Sequence, residues 1–513
     1  MLVGKVIQPG DRHPVPALTI EALRTRLETE QKEIAGAASR ATEVPLCVDL
    51  DGTLVRTDLA WECILSLFKS QPLALFLMPL WLLRGMARTK RELAERVKLD
   101  VTFLPYRAEC ISFLTEQREQ GRRIGLVTAA DQSLAEKVAE HLGLFDFVYG
   151  TRGDQNLKGE AKAALLLKEF GEGGYEYIGD SPVDLPVWKG SRAAYVVGDE
   201  GLVRKAQGVA RVEGVFDSQP ASLQTWLSAL RVHQWVKNAL LFLPLLLAHR
   251  FTFGALRDTT FGFLLFGLCA SSIYSINDLL DIHSDRAHPW KSKRPFASGN
   301  ASIPGGLLVS VLLAGSSIAL GFWLNVQFSL VLVLYILTTV LYSLYLKRVA
   351  LLDIFILSSF YAIRIWAGAL VASVPLSDWF LVFSLFFFLS LATAKRYSEL
   401  VHAGALVDSG KSGRGYIDSD RELLMPLGIG SSFAAVIILA LYAHSQELVV
   451  LYPRPKPLLL ICPILLYWLS SIWLKAERGK LDDDPLTLSI RDPVTFGVGA
   501  AILVVMAYSA RFL

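Results

Sequence analysis

Along the head of the chain, apolar positions come in short runs separated by mixed, charged stretches. The runs PLCVDL at 45–50, IGLVTA at 124–129 and EYIGD at 176–180 are strand-length and lie between helical patterns. Such alternation predicts a parallel α/β sheet. Past residue 220 the pattern changes. Apolar segments recur at about 238–253, 259–277, 305–324, 327–346, 350–372, 378–394, 424–444, 456–474 and 493–511. Most approach the roughly 20 residues that cross a bilayer, so this half is predicted as an all-α polytopic membrane domain of nine spans, the first being the shortest. VFDSQPASLQ at 215–224 has linker chemistry. The expected organisation is a charged helical extension at 1–41, an α/β head at 42–215, a linker at 216–224 and a membrane domain at 225–513.

Composition agrees with a membrane protein. Of 513 residues, 52% are hydrophobic and 19% charged, and the mean hydropathy is +0.41, whereas soluble domains average about a quarter charged. A net charge of +3, from 51 Lys and Arg against 48 Asp and Glu, is no footprint for nucleic acid. The cysteines (Cys47, Cys63, Cys110, Cys269, Cys462) are scattered without CxxC or nearby histidines, which argues against a disulfide framework or zinc site. The N-terminus lacks a signal-peptide core, so the head is expected in the cytosol. With the head inside, the loops 278–304, 347–349, 395–423 and 475–492 hold 15 Lys and Arg against 5 on the other side. That asymmetry follows the positive-inside rule and puts the acidic clusters of the membrane half on the side of the head, in a bacterial cytoplasmic membrane.

In VDLDGTLV, Asp49 and Asp51 follow an apolar strand. Ligands of parallel sheets bind at strand ends. Two carboxylates at i, i+2 there can divide labour, one attacking phosphorus and the other serving as acid and base. Thr128 ends the strand IGLVT, Lys158 stands in NLKGEAK with Lys162 four residues on, and Asp180 and Asp184 stand in IGDSPVD. This ordered set, over about 42–215, resembles the haloacid-dehalogenase-like phosphohydrolases. The resemblance implies a Rossmann-like core with a helical cap at about 58–120. It implies Asp49 as nucleophile, Asp51 as acid/base, and Thr128 with Lys158, or Lys162 in its place, on the phosphoryl oxygens. Mg²⁺ would sit on Asp49, Asp51 and Asp180, with Asp184 nearby; metal and lysine together offset the crowded carboxylates and the transferring phosphoryl charge. Within the cap, PLALFLMPLWLLRGM at 72–86 is apolar, broken by Pro72 and Pro79, and accompanied by Arg84, Arg88, Lys90 and Arg91. It is too short to span, and reads either as an in-plane membrane contact or as a buried cap core.

In YSINDLLDIHSDRAHPWKSKRPFASG at 274–299, Asp278, Asp281 and Asp285 fall at i, i+3, i+7, within about 60° of one face of a continuous helix. Aligned carboxylates repel unless a divalent cation joins them, and Mg²⁺ favours a few carboxylates plus substrate phosphates. Asn277 adjoins them. Pro289 ends the helix, and Lys291, Lys293 and Arg294 follow as donors for phosphate oxygens. NDxxDxxxD followed by KxxRP resembles the UbiA superfamily of intramembrane transferases over about 225–513, which implies nine helices around a lipid-facing cavity and Mg²⁺–diphosphate chemistry. Where members carry a second Asp-rich motif, this chain reads ATAKRYSELVHAGALVDSGKSGRGYIDSD. Lys395, Arg396, Tyr397 and Glu399 stand where a DxxxD would be expected, and Asp408, Asp418 and Asp420 lie further along.

That run, with DRxHPxKxxRP and LRVHQWVKN at 230–238, resembles the polyprenyl-phosphate phosphoribosyltransferase branch. The resemblance implies phosphoribosyl pyrophosphate as donor and a polyprenyl phosphate as acceptor, both of which suit cations in place of acids. Lys395, Arg396 and Tyr397 are candidates to hold a phosphate, with Arg414 and Tyr416 of GRGY behind them. Asp353 and Arg364 share a face of one span but lie eleven residues apart, too far to pair. An arginine inside a span marks a functional site, so Arg364 is expected to point at phosphate. LDDDP at 481–485 and RDP at 491–493 form an acidic loop on the side of the head, read either as a gate to the site or, in preference, as helix caps. The whole predicts a bifunctional membrane enzyme that loads 5-phosphoribose onto a polyprenyl phosphate and then removes the 5-phosphate, for cell-envelope glycans. The competing reading is an aromatic or quinone prenyltransferase with an independent or regulatory head.

Overall fold

A computed structural model describes residues 44–217, 221–404, 415–481 and 492–511. The chain divides into two compact units, Met1–Pro220 and Ala221–Leu513, with the break inside the expected linker. The extension at 1–41, Asp408, Arg414 and most of the LDDDP loop lie outside the described residues.

The head is built on six parallel strands: β1 (Leu46–Val48), β2 (Ile124–Asp131), β3 (Phe147–Thr151), β4 (Glu176–Gly179), β5 (Ala193–Gly198) and β6 (Val212–Asp217), in the order β3-β2-β1-β4-β5-β6. Because β6 runs to Asp217, the linker begins two residues later than the sequence suggests. Successive side chains of a strand point to opposite faces, and both faces are covered. Leu46, Val48 and Leu126 join one core while Cys47, Val127 and Tyr177 join the other. This two-sided burial is why the central strands read as unbroken apolar runs. The order reverses between β1 and β4, and Asp49 N–H donates across that seam to the Ile178 carbonyl at 3.0 Å. A parallel sheet binds ligands outside the strand C-termini at such a switch point.

Between β1 and β2 lie α1 (Leu59–Ser70), a 3₁₀ turn (Pro72–Leu77), α2 (Met78–Leu83), α3 (Met86–Arg96) and α4 (Ala108–Glu119). Asp58 caps α1 by accepting from Ala60 N–H at 2.8 Å. Cys63 and Leu67 of α1, Leu93 of α3 and Leu114 of α4 share the β1–β2 core, so the insert is anchored on the sheet. After β3 comes α6 (Glu160–Phe170), preceded by α5 (Gln132–Leu142) between β2 and β3.

Among the described residues of the second unit, seven helices are long and apolar enough to cross a membrane. They are α7 (Phe253–Leu280), α8 (Ile303–Leu324), α9 (Val326–Leu344), α10 (Leu352–Ala372), α11 (Asp378–His402), α12 (Asp418–Tyr442) and α13 (Lys456–Glu477). This is an integral membrane protein. The first and ninth predicted segments are shorter apolar helices, Val232–Leu247 and Pro493–Ser509. The former starts earlier than predicted and winds as a 3₁₀ helix from Val232 to Phe242 before turning α-helical over Leu243–Leu247. At about 2.0 Å per residue for the 3₁₀ part and 1.5 Å for the rest, these residues cover about 30 Å, the thickness of a hydrocarbon core. Gly368 of α10 leaves room for this segment, since a Cβ there would strike the Leu241 carbonyl.

Candidate active sites in the two units

In the head, Asp49 and Asp180 leave the ends of neighbouring strands, and Asp184 follows one short turn later. Ligand oxygens of Asp49, Asp180 and Asp184 lie within 4.8 Å of one another. Asp184 accepts from Ser181 N–H at 3.2 Å, and Asp180 accepts from the Thr53 hydroxyl at 3.1 Å. Gly52 holds a left-handed φ of 77°, and a side chain there would collide with the Asp180 carboxylate. Glycine at this place is therefore demanded twice, by conformation and by space. Asp51 is turned the other way, accepting from Leu59 N–H at the start of α1 at 2.9 Å. Thr128 is fully buried at the same end of the sheet, and its hydroxyl accepts from Ala130 N–H at 3.0 Å.

The lysine of this site is Lys162, which corrects the first choice of Lys158. Gly159 turns the chain with φ 56° into α6, and Lys162 lies in the first turn on the inner face. Its ammonium is buried, 2.9 Å from Asp49 Oδ2 and 3.7 Å from Asp184 Oδ1. Lys158 is exposed in the loop ahead of the helix. Tyr177, absent from the sequence reading, links the cluster: its hydroxyl accepts from Lys162 at 2.6 Å and donates to Asp184 at 3.2 Å. Lys90 of the cap also reaches in, donating to the Ala129 carbonyl at 2.6 Å and Asn156 Oδ1 at 3.0 Å.

The electrostatics separate these groups. Loss of surrounding water, with the Asp58 carboxylate next, holds the Asp51 carboxyl well above the usual range. Burial and then the Asp49 charge push Asp180 up to about 7. Burial also pushes Asp184 up to about 6, with Lys162 pulling back. Burial works against the charge of Lys162, but Asp49 and then Asp184 reverse this and hold its ammonium above the ordinary range.

The membrane unit departs from the predicted geometry at Asp281. Helix α7 stops at Leu280, Asp281 leaves the helical path with ψ 9°, and a new short helix runs Ile282–Arg286. The three acids therefore do not share one face. Asp278 takes a two-point contact from Arg231, including Nε at 3.0 Å. Arg294 Nη1 lies 3.2 Å from Asp278 Oδ1 and 2.6 Å from Asp285 Oδ2. Asp281 faces away to Lys347 at 3.0 Å. Asn277 Oδ1 is buried without a hydrogen-bond partner, whereas Lys291 is exposed.

Several predicted phosphate ligands are instead built into the helix packing. Asp353 and Arg364 do not pair, as their spacing requires. Asp353 is fully buried, accepts from the Tyr342 hydroxyl at 2.6 Å, and forms a two-point ion pair with Arg396, with Nη2 at 3.1 Å. Arg396 also reaches Glu399 at 2.7 Å. Arg364 donates to Asn238 at 3.0 Å and Tyr335 at 2.9 Å, and packs against the rings of Phe266, Tyr335 and Tyr361. The Tyr397 hydroxyl donates to Glu477, and Tyr416 accepts from Leu351 N–H at 3.0 Å. Lys395 is partly exposed on α11. The reason is general: a charge inside a bilayer finds a partner in the protein.

Residues 239–478 match the UbiA prenyltransferase family, and residues 46–189 match the haloacid dehalogenase-like hydrolases. An uncharacterised protein, y4nM of Sinorhizobium fredii, is 38% identical over 90% of each chain. Decaprenyl-phosphate phosphoribosyltransferase of Mycolicibacterium smegmatis is 37% identical over 43% of this chain and 70% of its own length. The chain belongs to the UbiA family. Its head is a haloacid-dehalogenase-like domain fused ahead of the UbiA unit. Nodulation protein NoeC of Azorhizobium caulinodans is 32% identical over 52% of this chain and 87% of its own, so it too aligns with about half of the fusion.

The two units offer cations different seats. In the dehalogenase-like head, three carboxylates converge within 4.8 Å, an acid-rich oxygen set that fits a hard divalent ion. In the UbiA unit, Asp278 and Asp285 converge on one guanidinium nitrogen, which marks a point that both carboxylates can share with a cation, and Asp281 stands apart. The contrast between the lysines gives a direct check. If the head hydrolyses phosphate esters, as proposed below, Lys162→Met is expected to lower turnover by about a hundredfold or more, as loss of a preorganised charge does, while Lys158→Met stays near wild type. Steady-state phosphate release on both variants measures this, and equal losses would refute the assignment.

Proposed function

We propose that the UbiA unit transfers 5-phosphoribose from phosphoribosyl pyrophosphate to a polyprenyl phosphate, and that the head then removes the 5-phosphate. The observation that carries this is the presence on one chain of a lysine-bridged cluster of three carboxylates in a haloacid-dehalogenase-like head and a UbiA unit whose acids are met by Arg231, Arg294 and Lys347. A phosphatase fused to a transferase makes chemical sense when the transferred group still bears a phosphate, and linkage raises its local concentration. The likeness to decaprenyl-phosphate phosphoribosyltransferases supports the donor and acceptor classes. The product, a lipid-linked ribose, would feed cell-envelope glycans, with both sites on the cytosolic face of a bacterial inner membrane, in keeping with the loop charges.

In the UbiA unit, Asp278 and Asp285 would hold Mg²⁺, and in the head Asp49, Asp180 and Asp184 would hold another. The bound ion supplies charge neutralisation to a leaving diphosphate or a transferring phosphoryl group. Arg231, Arg294 and Lys347 present N–H donors to phosphate oxygens beside the acids. An oxygen of the lipid phosphate attacks the anomeric carbon, and the bond to pyrophosphate breaks. In the head, an Asp49 oxygen attacks the 5-phosphate phosphorus while Asp51 gives its proton to the departing ribose oxygen. Asp51 then takes a proton from the water that hydrolyses the aspartyl phosphate, releasing inorganic phosphate. Lys162 and Thr128 hold the phosphoryl oxygens.

The test uses full-length protein in vesicles with a polyprenyl phosphate, Mg²⁺ and phosphoribosyl pyrophosphate labelled in the ribose. Label is expected to enter lipid in wild type and to fall about a thousandfold in Asp278→Asn, the scale on which removing a preorganised charge acts. No label in lipid, together with consumption of a prenyl diphosphate and an aromatic acceptor, would overturn this reading in favour of an ordinary prenyltransferase.

A further inference from the structure

The cap carries an apolar strip that the head itself does not cover. Leu73, Phe76, Leu77, Leu80 and Leu83 recur every three or four residues along the 3₁₀ turn Pro72–Leu77 and α2. Leu73, Phe76 and Leu83 are 77%, 81% and 86% exposed. The opposite side of the same segment is the anchored one. Trp81 is buried beneath the Arg96 guanidinium at 4.7 Å, and Ala74, Leu75 and Met78 pack on the β1–β2 core. The segment is thus apolar on two sides, with only one side used. Of the two sequence readings, the segment is cap core along one side, through Trp81, Ala74, Leu75 and Met78, and exposed along the other.

We propose that this strip lies in the surface of an anionic bilayer. Three observations favour lipid over another occupant. Residues 72–88 contain no acid, and Arg84 and Arg88 stand exposed at the end of the strip. Apolar side chains flanked by cations are the pattern of interfacial segments that bind acidic headgroups. The segment is too short to cross, so it can only lie in the plane. Finally, seven helices among the described residues are long and apolar enough to cross a membrane, and only five residues separate Asp217 of the head from Leu223, a tether too short to let the head leave the vicinity of lipid. Scattered exposed apolar residues are ordinary, but a contiguous stripe beside cations is an interaction surface. A cap seated in the interface would receive a phosphate carried on a lipid without extracting the lipid. That last consequence rests on the function proposed above, whereas the docking itself does not.

The experiment places a polarity-sensitive fluorophore on full-length protein in phosphatidylglycerol vesicles, through Leu80→Cys or Phe76→Cys in a Cys462→Ala background. Glu172→Cys, an exposed position elsewhere on the head, is the control. The labels at 76 and 80 are expected to shift to the blue and lose most of their emission to lipids brominated in their acyl chains, while the label at 172 does neither. Quenching is expected to weaken in phosphatidylcholine and in Arg84→Glu/Arg88→Glu. Emission at 76 and 80 matching that at 172 would overturn the proposal. So would a blue shift without quenching by brominated lipid, because that result identifies protein, such as a second copy of the chain, as the cover. Failure of the ribosyl transfer assay leaves these readouts unchanged, so the two readings fail separately.

Discussion

The Asp49→Asn enzyme is expected to load labelled phosphoribose onto the lipid at the wild-type rate and to stop there. The amide keeps the shape of the side chain and its hydrogen bond from Leu50 N–H, 2.8 Å in the native chain, but it is no nucleophile. Lys162 retains Tyr177 at 2.6 Å and Asp184 at 3.7 Å, so the pocket stays assembled. Losing the nucleophile of a covalent mechanism costs on the order of 10⁴-fold or more in turnover. The measurement is chromatographic separation of labelled lipids over time: a phosphorylated species should accumulate where wild type gives the neutral sugar. Wild-type dephosphorylation by Asp49→Asn would remove the head from the reaction.

Asp353→Asn is expected to damage folding of the membrane unit. The Asp353 side chain is 0% exposed and that of Arg396 only 3%, and their two-point contact shares the neutralisation of this buried guanidinium with Glu399 at 2.7 Å. Removing one partner of a buried pair costs about 3–5 kcal/mol when nothing else meets the charge; with Glu399 still in place the expected loss is the lower end of that range. Thermal unfolding in detergent should therefore shift down clearly, with lower yield from the membrane. The double substitution Asp353→Leu/Arg396→Leu should recover much of that loss, since well-packed apolar side chains can replace a buried pair at little net cost. If the single variant melts like wild type, or the double is worse than the single, the pair is not structural.

The sequence was most legible where burial is two-sided. Strands β1, β2 and β4 are nearly fully buried and stand out as apolar runs. β3 is mostly half-buried, and β6 reads VEGVFD; neither pattern separates from loop without knowledge of the neighbouring strand. The convergence of Asp49, Asp180 and Asp184 was legible because their motifs are contiguous. The lysine was not, because NLKGEAK offers two and only the left-handed turn at Gly159 decides which one faces the sheet. The membrane acids show the limit of helical arithmetic: the i, i+3, i+7 argument needs an unbroken helix, and α7 ends at Leu280. Their partners Arg231 and Lys347 lie 47 and 66 residues away from Asp278 and Asp281, a separation that pattern cannot bridge. Likewise, Lys395, Arg396 and Tyr397 were read as one ligand set, yet consecutive residues of a helix point about 100° apart, and Arg396 and Tyr397 meet different partners.

The crowding of Asp49, Asp180 and Asp184 around one ammonium also bears on how the head holds together. Among the described residues Lys162 pairs with Asp49 and Asp184, and one ammonium leaves the three clustered carboxylates under-neutralised, so part of the folding free energy of the domain is spent on their mutual repulsion. A divalent ion that enters only the folded cluster lifts that penalty, adding about 2.7 kcal/mol when present at a hundred times its dissociation constant. With Mg²⁺ as that ion and the function proposed above, the magnesium level would set both how long the head resists unfolding and proteolysis and how fast it turns over. Abundance of the enzyme would track the same ion as its chemistry.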